Sequence, residues 1–413
     1  MSAFLLLLIL SHIDIAKVSG VIHPPSAEYT LKAIKQAEKD GAECLIIELD
    51  TPGGLDEAMR EITKAVLNAK VPIIVYVYPS GARCASAGVF ILLSSHIAAM
   101  APGTNIGAAH PVAMGGKMDE TMKEKVENDA IAYIKSIAKK RGKNEEWAEN
   151  AVRKSVSVTA EEALELGVID IVAENLEELL NKIDGQEVEI DGETKALHTE
   201  GQETKEIKWS FKENFFSKIA NPTIAYMLLM IGLWGIILEF SHPGTFIPGV
   251  VGGISLILAF YSFQILPINY AGVGLIVLGF ILFIMEALTP TYGPLAIGGV
   301  VALALGSLML IKVDAPFLQI SRASIITVVA LTGSFFVFAL AMAFRTMRRK
   351  PITGKRGLVG EIGEVKDRIE PGRDGRVFIA GEWWKAIADE TIEVGEKVRV
   401  VEVNRLTLKV KKK

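Results

Sequence analysis

Three things are scarce in this 413-residue chain, and each scarcity excludes something. Cysteine occurs only as Cys44 and Cys84, too few for a disulfide framework, and both read as small apolar core thiols. Histidine occurs six times, at positions 12, 23, 96, 110, 198 and 242, and no His/Cys/Asp cluster has the spacing of a metal-ligand set. No metal and no cofactor are therefore expected. Charge is missing from a whole block: residues 221–344 hold two basic and three acidic residues in 124 positions. So few charges cannot coat a water-soluble domain, and the block belongs in a bilayer.

The flanks of that block differ in sign. Residues 1–220 carry a net charge of −10 and residues 345–413 a net charge of +7. Half of all residues are hydrophobic and 22% are charged, which rules out disorder, collagen-like repeats and a disulfide-rich secreted scaffold. The plan is an acidic head, a membrane block and a basic tail, or about two to three folding units at roughly 150 residues each. Residues 1–11 read as an abbreviated signal segment, because an apolar run over 3–10 has h-region length but no basic residue precedes it. Either the signal is short or the true start lies upstream; an export signal is the expectation.

Residues 12–200 are expected to form one layered α/β domain, from alternating strand and helix signals. Strands are expected over 13–18, 44–49, 71–78 and 97–100, and helices over 26–40, 55–70, 86–95 and 120–141. Ser26 reads as the N-cap of its helix and Gly41 as its stop. Thr159-x-x-Glu162 opens a further helix as a capping box, and Gly167 closes it. Asp191-Gly192 between two alternating runs reads as a hairpin turn. Residues 201–221 form a membrane-proximal linker in which Trp209, Phe211, Phe215 and Phe216 stand among lysines, as an interfacial helix or an ordinary connection.

The membrane domain, 222–344, divides at Pro and Gly clusters into about five spans, near 222–240, 247–266, 270–288, 294–312 and 323–344. A repeat is visible: Glu239-x3-Pro243 leads to Pro248 and Gly252-Gly253, and Glu286-x3-Pro290 leads to Pro294 and Gly298-Gly299, 47 residues later. This suggests a duplicated helix pair whose glutamate reaches the interface or caps the turn. Arg345, Arg348, Arg349 and Lys350 follow the last span, which places the tail in the cytoplasm and the head outside the membrane. Lys208, Lys212 and Lys218 before the first span count against that orientation. Residues 357–413 read as a small all-β barrel of the OB type. Trp383 and Trp384 are its only tryptophans, without regular aromatic interleaving, so a protein- or membrane-facing role is expected rather than nucleic-acid binding.

Three segments carry chemistry. Asp50-Thr-Pro-Gly53-Gly54 follows a buried strand, where backbone N–H groups can converge as an oxyanion hole; Pro-Gly-Gly is equally a plain turn. Ser86, flanked by Ala85, Ala87 and Gly88, stands where a helix begins; it reads as a nucleophile or as an N-cap worth ~1 kcal/mol. A serine hydroxyl needs a base, and the scattered histidines have no clear acid partner. A lysine serves if burial lowers its pKa from about 10.4 toward 7–8. Lys117, Lys123 and Lys125 all fall at or before the start of the long helix.

Leu49-Asp-Thr-Pro-Gly-Gly54, Ser80-Gly-Ala-Arg-Cys-Ala-Ser-Ala-Gly88, Met100-Ala-Pro-Gly-Thr-Asn-Ile-Gly-Ala-Ala-His-Pro111 and Asn128-Asp-Ala-Ile-Ala-Tyr-Ile-Lys135 together resemble the long form of the NfeD family. These are membrane-bound serine proteases whose head is similar to Clp protease and signal peptide peptidase A. Residues 159–170, the spans and the Gly381-Glu-Trp383 barrel also match, so the resemblance covers nearly the whole chain. It implies a Clp/crotonase-like α/β head with Ser86 as nucleophile and Lys125, six residues ahead of Ile131, as base, with Lys123 as the fallback. It implies oxyanion donors at Gly54, Gly53 and Ala87, apolar peptide substrates, a stomatin-like membrane partner, contact with membrane lipid, and a head that forms a homodimer or higher homo-oligomer. One departure is Asn404-Arg405 in the last barrel turn, where the family often has a glycine. Two other readings remain: a non-catalytic membrane scaffold that organises stomatin-like proteins, and a crotonase-like acyl-thioester enzyme without a serine nucleophile.

Overall fold

Alternating strands and helices build a six-stranded, wholly parallel sheet. The computed structural model describes residues 12–112, 119–242, 244–289, 291–313, 316–347 and 355–413. The expected signal segment, Lys117, Pro243, Pro290 and the run Arg348-Arg349-Lys350 lie outside the described residues. The chain divides into two compact units, up to Gly333 and from Ser334 onward.

The first unit begins with β1 (His12–Ser19), α1 (Pro24–Asp40), β2 (Cys44–Asp50), α2 (Asp56–Leu67) and β3 (Ile73–Val77). It continues with β4 (Arg83–Ala85), α3 (Ala87–Ser94), β5 (Ile97–Met100), β6 (Asn105–Gly107), α4 (Glu120–Lys140), α5 (Glu145–Arg153), β7 (Ser157–Thr159) and α6 (Ala160–Glu165). β8 (Ile171–Val172), α7 (Leu176–Ile183), the expected hairpin β9 (Glu187–Ile190) and β10 (Glu193–Ala196), β11 (Glu203–Ile207) and α8 (Phe211–Ile219) complete the head.

The large sheet has the order β11-β1-β2-β3-β5-β8, with every pair parallel. Both faces are covered, which is why β2 and β3 read as nearly continuous apolar runs rather than alternating ones. One face buries Ala16, Val18, Leu45, Ile47, Leu49, Val75 and Val77 against α1, α2 and α3. The other buries Ile13, Ile15, Ile46, Ile74 and Tyr76 against α7 and the β9–β10 hairpin. This is the layered α/β class expected of the head. A second sheet, β4-β6-β7, has strands too short to show any periodicity in the sequence.

α1 begins at Pro24, not Ser26; His23 is the cap, and Ser26 closes a reciprocal pair with it. Proline at the first helical position has its φ already set, so the helix extends to include it. α6 opens through the expected Thr159/Glu162 box. Trp209 stacks on Tyr29 with centroids 4.3 Å apart and donates to the Lys17 carbonyl, tying the linker to the head.

The five apolar segments are α9 (Pro222–Ser241), α10 (Ile247–Ile265), α11 (Tyr270–Leu288), α12 (Pro294–Met309) and α13 (Arg322–Met347). Among the described residues, four are long and apolar enough to cross a membrane; α12, with 16 residues, is not. At about 1.5 Å per residue it spans about 24 Å, less than a hydrocarbon core of about 30 Å. It still returns alongside its partner, since Asn269 N–H donates to the Leu310 carbonyl at 2.8 Å.

The repeat is real in three dimensions. Glu239 accepts from the N–H groups of Phe246 and Gly249. Glu286 accepts from those of Gly293 and Ala296, the positions 47 residues on, and also from Thr291 and Leu295. Each glutamate therefore caps the helix that follows it, where the dipole favours negative charge. The helices of each hairpin touch through glycines: a Cβ at Gly252 would lie 3.0 Å from the Gly232 carbonyl, and one at Gly299 would lie 3.0 Å from that of Gly279.

In the second unit, α14 (Lys355–Leu358) precedes β12 (Ile362–Val365), β13 (Gly375–Ile379), β14 (Glu382–Ile387), β15 (Lys397–Asn404) and β16 (Thr407–Lys412). The strands close as β12-β13-β14-β16-β15 around Val365, Val377, Ala386, Val398, Val400 and Leu408, the expected OB-type barrel. Arg405 takes φ +53° in the turn before β16, the conformation that favours glycine there.

Candidate active site

The turn after β2 is locked from three sides. The Thr51 N–H donates to the Arg83 carbonyl at 2.7 Å, and the Thr51 carbonyl accepts from Ala85 N–H at 3.0 Å. The Thr51 hydroxyl, fully buried, accepts from Gly53 N–H at 3.1 Å and donates to the Gly53 carbonyl at 3.0 Å. Gly53 has φ +124°, and a Cβ there would lie 2.8 Å from Ser86 Cβ. Gly54 presses on the Ile22 backbone so closely that a Cβ would lie 2.1 Å from its carbonyl oxygen. Both glycines are thus required, the first by conformation and the second by contact. Gly53 N–H is engaged by Thr51, whereas the Gly54 amide has no acceptor among the described residues.

Ser86 stands at the junction of β4 and α3. It has φ +52°, ψ −112°, and its side chain makes no cap hydrogen bond. An N-capping serine has extended backbone and uses its oxygen on the helix, so the cap reading does not hold here. A β-carbon held at positive φ costs on the order of 1–3 kcal/mol and is kept where surrounding structure over-determines it. The clamps are visible: Ser86 N–H donates to the Gly107 carbonyl at 3.1 Å, and Gly88 leaves no room for a Cβ against Thr51 and Cys84. Ala87, the first residue of α3, has an amide with no intrahelical acceptor, pointing out of the positive end of a buried helix.

Ser86, Ala87 and Gly54 line a cavity of about 560 Å³, and Lys125 lines the same cavity. Met59, Phe90, Val112, Val126, Val313, Phe317 and Leu318 supply apolar walls. The last three come from the segment between α12 and α13. Phe317 reaches within 3.2 Å of where a Gly53 Cβ would stand, beside Ser86. At the rim, Arg60 bonds Asp56 at 2.8 Å and Asp129 at 2.5 Å and lies 4.5 Å from the Tyr133 ring centroid.

Lys125 differs from expectation in two respects. It lies in the second turn of α4 rather than ahead of it, and it is exposed rather than buried. The helix begins at Glu120, as expected, behind Asp119, which caps it by accepting from Met122 N–H at 2.7 Å. No hydrogen bond joins Lys125 to Ser86 among the described residues. Lys123 is two residues away, about 200° round the helix, and does not line the cavity.

The histidines have other work. His96 is largely buried, accepts from Ile73 N–H at 3.1 Å, and burial pushes its pKa down to about 3. His23 caps α1, and burial lowers its pKa too. His110 holds the Val152 carbonyl at 2.9 Å through Nδ1, which must carry the proton because a carbonyl only accepts. Cys44 and Cys84 are free and buried; burial pushes the Cys44 thiol up to about 12 and raises that of Cys84 further, so both are inert at neutral pH.

Comparison with known proteins decides the family. Residues 15–193 match the NfeD1b N-terminal domain, 223–343 the NfeD integral membrane domain, and 355–412 the NfeD-like C-terminal, partner-binding domain. Membrane-bound protease PH1510 of Pyrococcus horikoshii is 40% identical over 407 residues, 95% of this chain and 92% of that protein. The chain belongs to the NfeD family. It is an integral membrane protein, and its 40% identity to a named membrane-bound protease, one with serine- and lysine-substituted structures, makes it a serine protease. Membrane protein NfeD1b of Bacillus subtilis is 26% identical over 405 residues, 91% of this chain and 87% of that one. Among solved structures, a lysine-to-alanine variant of the 1510-N membrane-bound stomatin-specific protease in complex with a substrate peptide is 40% identical. It covers 51% of this NfeD chain and 97% of its own, with a TM-score of 0.48.

Sequence reasoning missed several parts of the site. Thr51 was read only as part of a turn motif, though its hydroxyl fixes Gly53. Gly107 gave no signal of its role, since its carbonyl meets Ser86 only through the second sheet. Phe317 lies some 230 positions from Ser86, in what the NfeD sequence shows only as a connection between spans.

Proposed function

We propose that Ser86 is the nucleophile and Lys125 the general base of an endopeptidase that cuts apolar peptide segments, its partner and substrate being a stomatin-like membrane protein. The observation that carries this reading is the uncapped, conformationally strained Ser86 hydroxyl at the head of α3, in the same apolar cavity as Lys125. An apolar segment that fills the cavity displaces water from around Ser86 and Lys125. Lys125 takes the Ser86 proton as the hydroxyl oxygen attacks the peptide carbonyl. The amides of Gly54 and Ala87 hold the oxyanion. Gly53, its own amide engaged by Thr51, leaves room for the substrate backbone. The tetrahedral intermediate expels the amine, which takes the proton back from Lys125, and an acyl-enzyme remains. Water, deprotonated by Lys125, resolves the ester and returns the Ser86 hydroxyl.

The stomatin-like partner rests on the names of the relatives, which include a stomatin-specific protease, and on the match of residues 355–412 to a partner-binding domain. The proposed division is a protease head at 12–200, a linker at 201–221, a membrane domain at 222–344 and a barrel at 357–413. The head lies outside the cytoplasm and the barrel within it, following the basic residues after the last span, with α12, which returns alongside α11, counted as a fifth crossing. Contact with lipid and a homodimeric or larger head complete the proposal.

The test uses the full chain in detergent with a fluorogenic apolar peptide, as wild type, Ser86→Ala and Lys125→Ala. Ser86→Ala is expected to fall to background, and Lys125→Ala to lose about 10²–10⁴-fold in kcat. Cleavage that survives both substitutions removes the dyad.

A further inference from the structure

The register of β1 places a carboxylate where the sheet needs an apolar side chain. Ile13 and Ile15 face the α7 side, so Asp14, Ala16 and Val18 form the row that faces α1. Asp14 is fully buried, and neither of its oxygens accepts a hydrogen bond among the described residues. A buried carboxylate left this way breaks the rule that buried polar atoms find partners, and such violations mark function.

What Asp14 faces is a set of metal-ligand atoms. His12 Nε2, itself buried without a hydrogen bond, lies 3.4 Å from Asp14 Oδ1. Asp40, the last residue of α1, brings a second carboxylate, and one donor atom from each of the three residues lies within 4.8 Å of the others. At 3.4 Å the two atoms stand at ion-pair distance without hydrogen-bond geometry. The separation fits the edge of a tetrahedron: ligands held about 2.0–2.1 Å from a zinc-like ion stand about 3.3 Å apart. Lys205, paired in register with Asp14 on β11, holds Asp40 at 2.9 Å and is the positive charge that a cation would compete with.

We propose that His12, Asp14 and Asp40 bind a divalent transition-metal cation of the zinc and cobalt class. The donor set, one imidazole and two carboxylates, suits such an ion better than an all-oxygen site suited to calcium or magnesium. The site lies at the N-terminal end of β1, whereas Gly54 follows the C-terminal end of β2 and Ser86 that of β4. Its role is structural: it ties the start of β1 to the end of α1, two elements that the chain itself joins only at their other ends. His12 and Asp14, two apart on one strand, share a face of β1, but Asp40 reaches them only through the packing of α1 on the sheet, so the full set has no ligand spacing in the sequence.

The test is a titration of the full chain, purified in detergent without a histidine tag and stripped with EDTA. Wild type is expected to bind one equivalent of Co²⁺ with the intense visible absorption of tetrahedral coordination, and Zn²⁺ is expected to displace it. His12→Ala and Asp14→Asn should each weaken binding at least tenfold and abolish the absorption, with far-UV circular dichroism unchanged. Lys205→Met should tighten binding. An ordinary His12–Asp14 ion pair predicts no stoichiometric Co²⁺ binding by wild type, and that result overturns the proposal. An unaltered spectrum and affinity in His12→Ala also overturns it. His12 is partly exposed at the start of β1, so this variant decides the matter even if Asp14→Asn fails to fold.

Discussion

Thr51→Val separates the role of the glycine turn from that of Ser86. Valine keeps the shape of threonine and removes only the hydroxyl that grips Gly53 at 3.1 Å and 3.0 Å. The Gly53 N–H then lacks its acceptor in a buried loop, a loss of about 1–3 kcal/mol. For a head of this size each kcal/mol shifts Tm by about 2–4 °C, so a drop of roughly 2–12 °C is expected. Catalysis should suffer separately. An oxyanion donor is worth about 2.7–4 kcal/mol. A Gly54 amide that is loosened but not removed should forfeit part of that, lowering kcat about 10–100-fold with KM little changed. The assay is steady-state cleavage of an apolar fluorogenic peptide by the full chain, with thermal unfolding measured on the same preparation. A variant that loses stability but keeps wild-type kcat would show that the turn after β2 does not hold the oxyanion.

Phe317→Ala removes the ring that the membrane-side segment extends beside Ser86; kcat/KM for an apolar peptide should fall by about 5–50-fold without a shift in Tm, and unchanged kinetics would remove Phe317 from the substrate site. Glu286→Ala should destabilise the α11–α12 hairpin by about 3 kcal/mol, because several amides lose their acceptor in a buried site. Glu239→Ala, at the more open equivalent position, should cost about 1 kcal/mol, and equal losses in detergent unfolding would refute the account. His96 has a folded pKa of about 3, below its unfolded value of 6.5, so the unfolded state binds the extra proton between those values. Its contribution is complete above pH 6.5 and is lost as pH falls toward 3, on the order of a few kcal/mol. His96→Asn keeps an acceptor for Ile73 N–H without that titration, and should flatten denaturant midpoints measured between pH 7 and 4; an unchanged slope would assign acid lability elsewhere.

How much could be read in advance differs from element to element. β2 and β3 were legible because a strand buried on both faces leaves a continuous apolar run. The barrel was legible through its Gly and Asn turns, and the duplicated hairpins through two glutamates 47 residues apart. The three-residue strands β4, β6 and β7 left no pattern, although β6 supplies the carbonyl that clamps Ser86. The start of α4 was legible at 120, where the helix begins behind its Asp119 cap; what was misplaced was Lys125, which lies in the second turn rather than at or before the start.

The sequence by itself determined the class of each segment: which residues sit in lipid, which form a two-faced parallel sheet, and which small-residue motifs can bend backbone amides toward one point. These are local properties, set by period, side-chain size and charge density along the chain. Only the tertiary structure decided which distant groups meet. It set Lys125 rather than Lys123 on the cavity face of α4, gave Gly53 N–H to Thr51, and carried Phe317 from between two membrane helices to the side of Ser86. It also gathered His12, Asp14 and Asp40 at the far end of the sheet. Such meetings depend on the packing of whole elements, and no spacing within the chain encodes them.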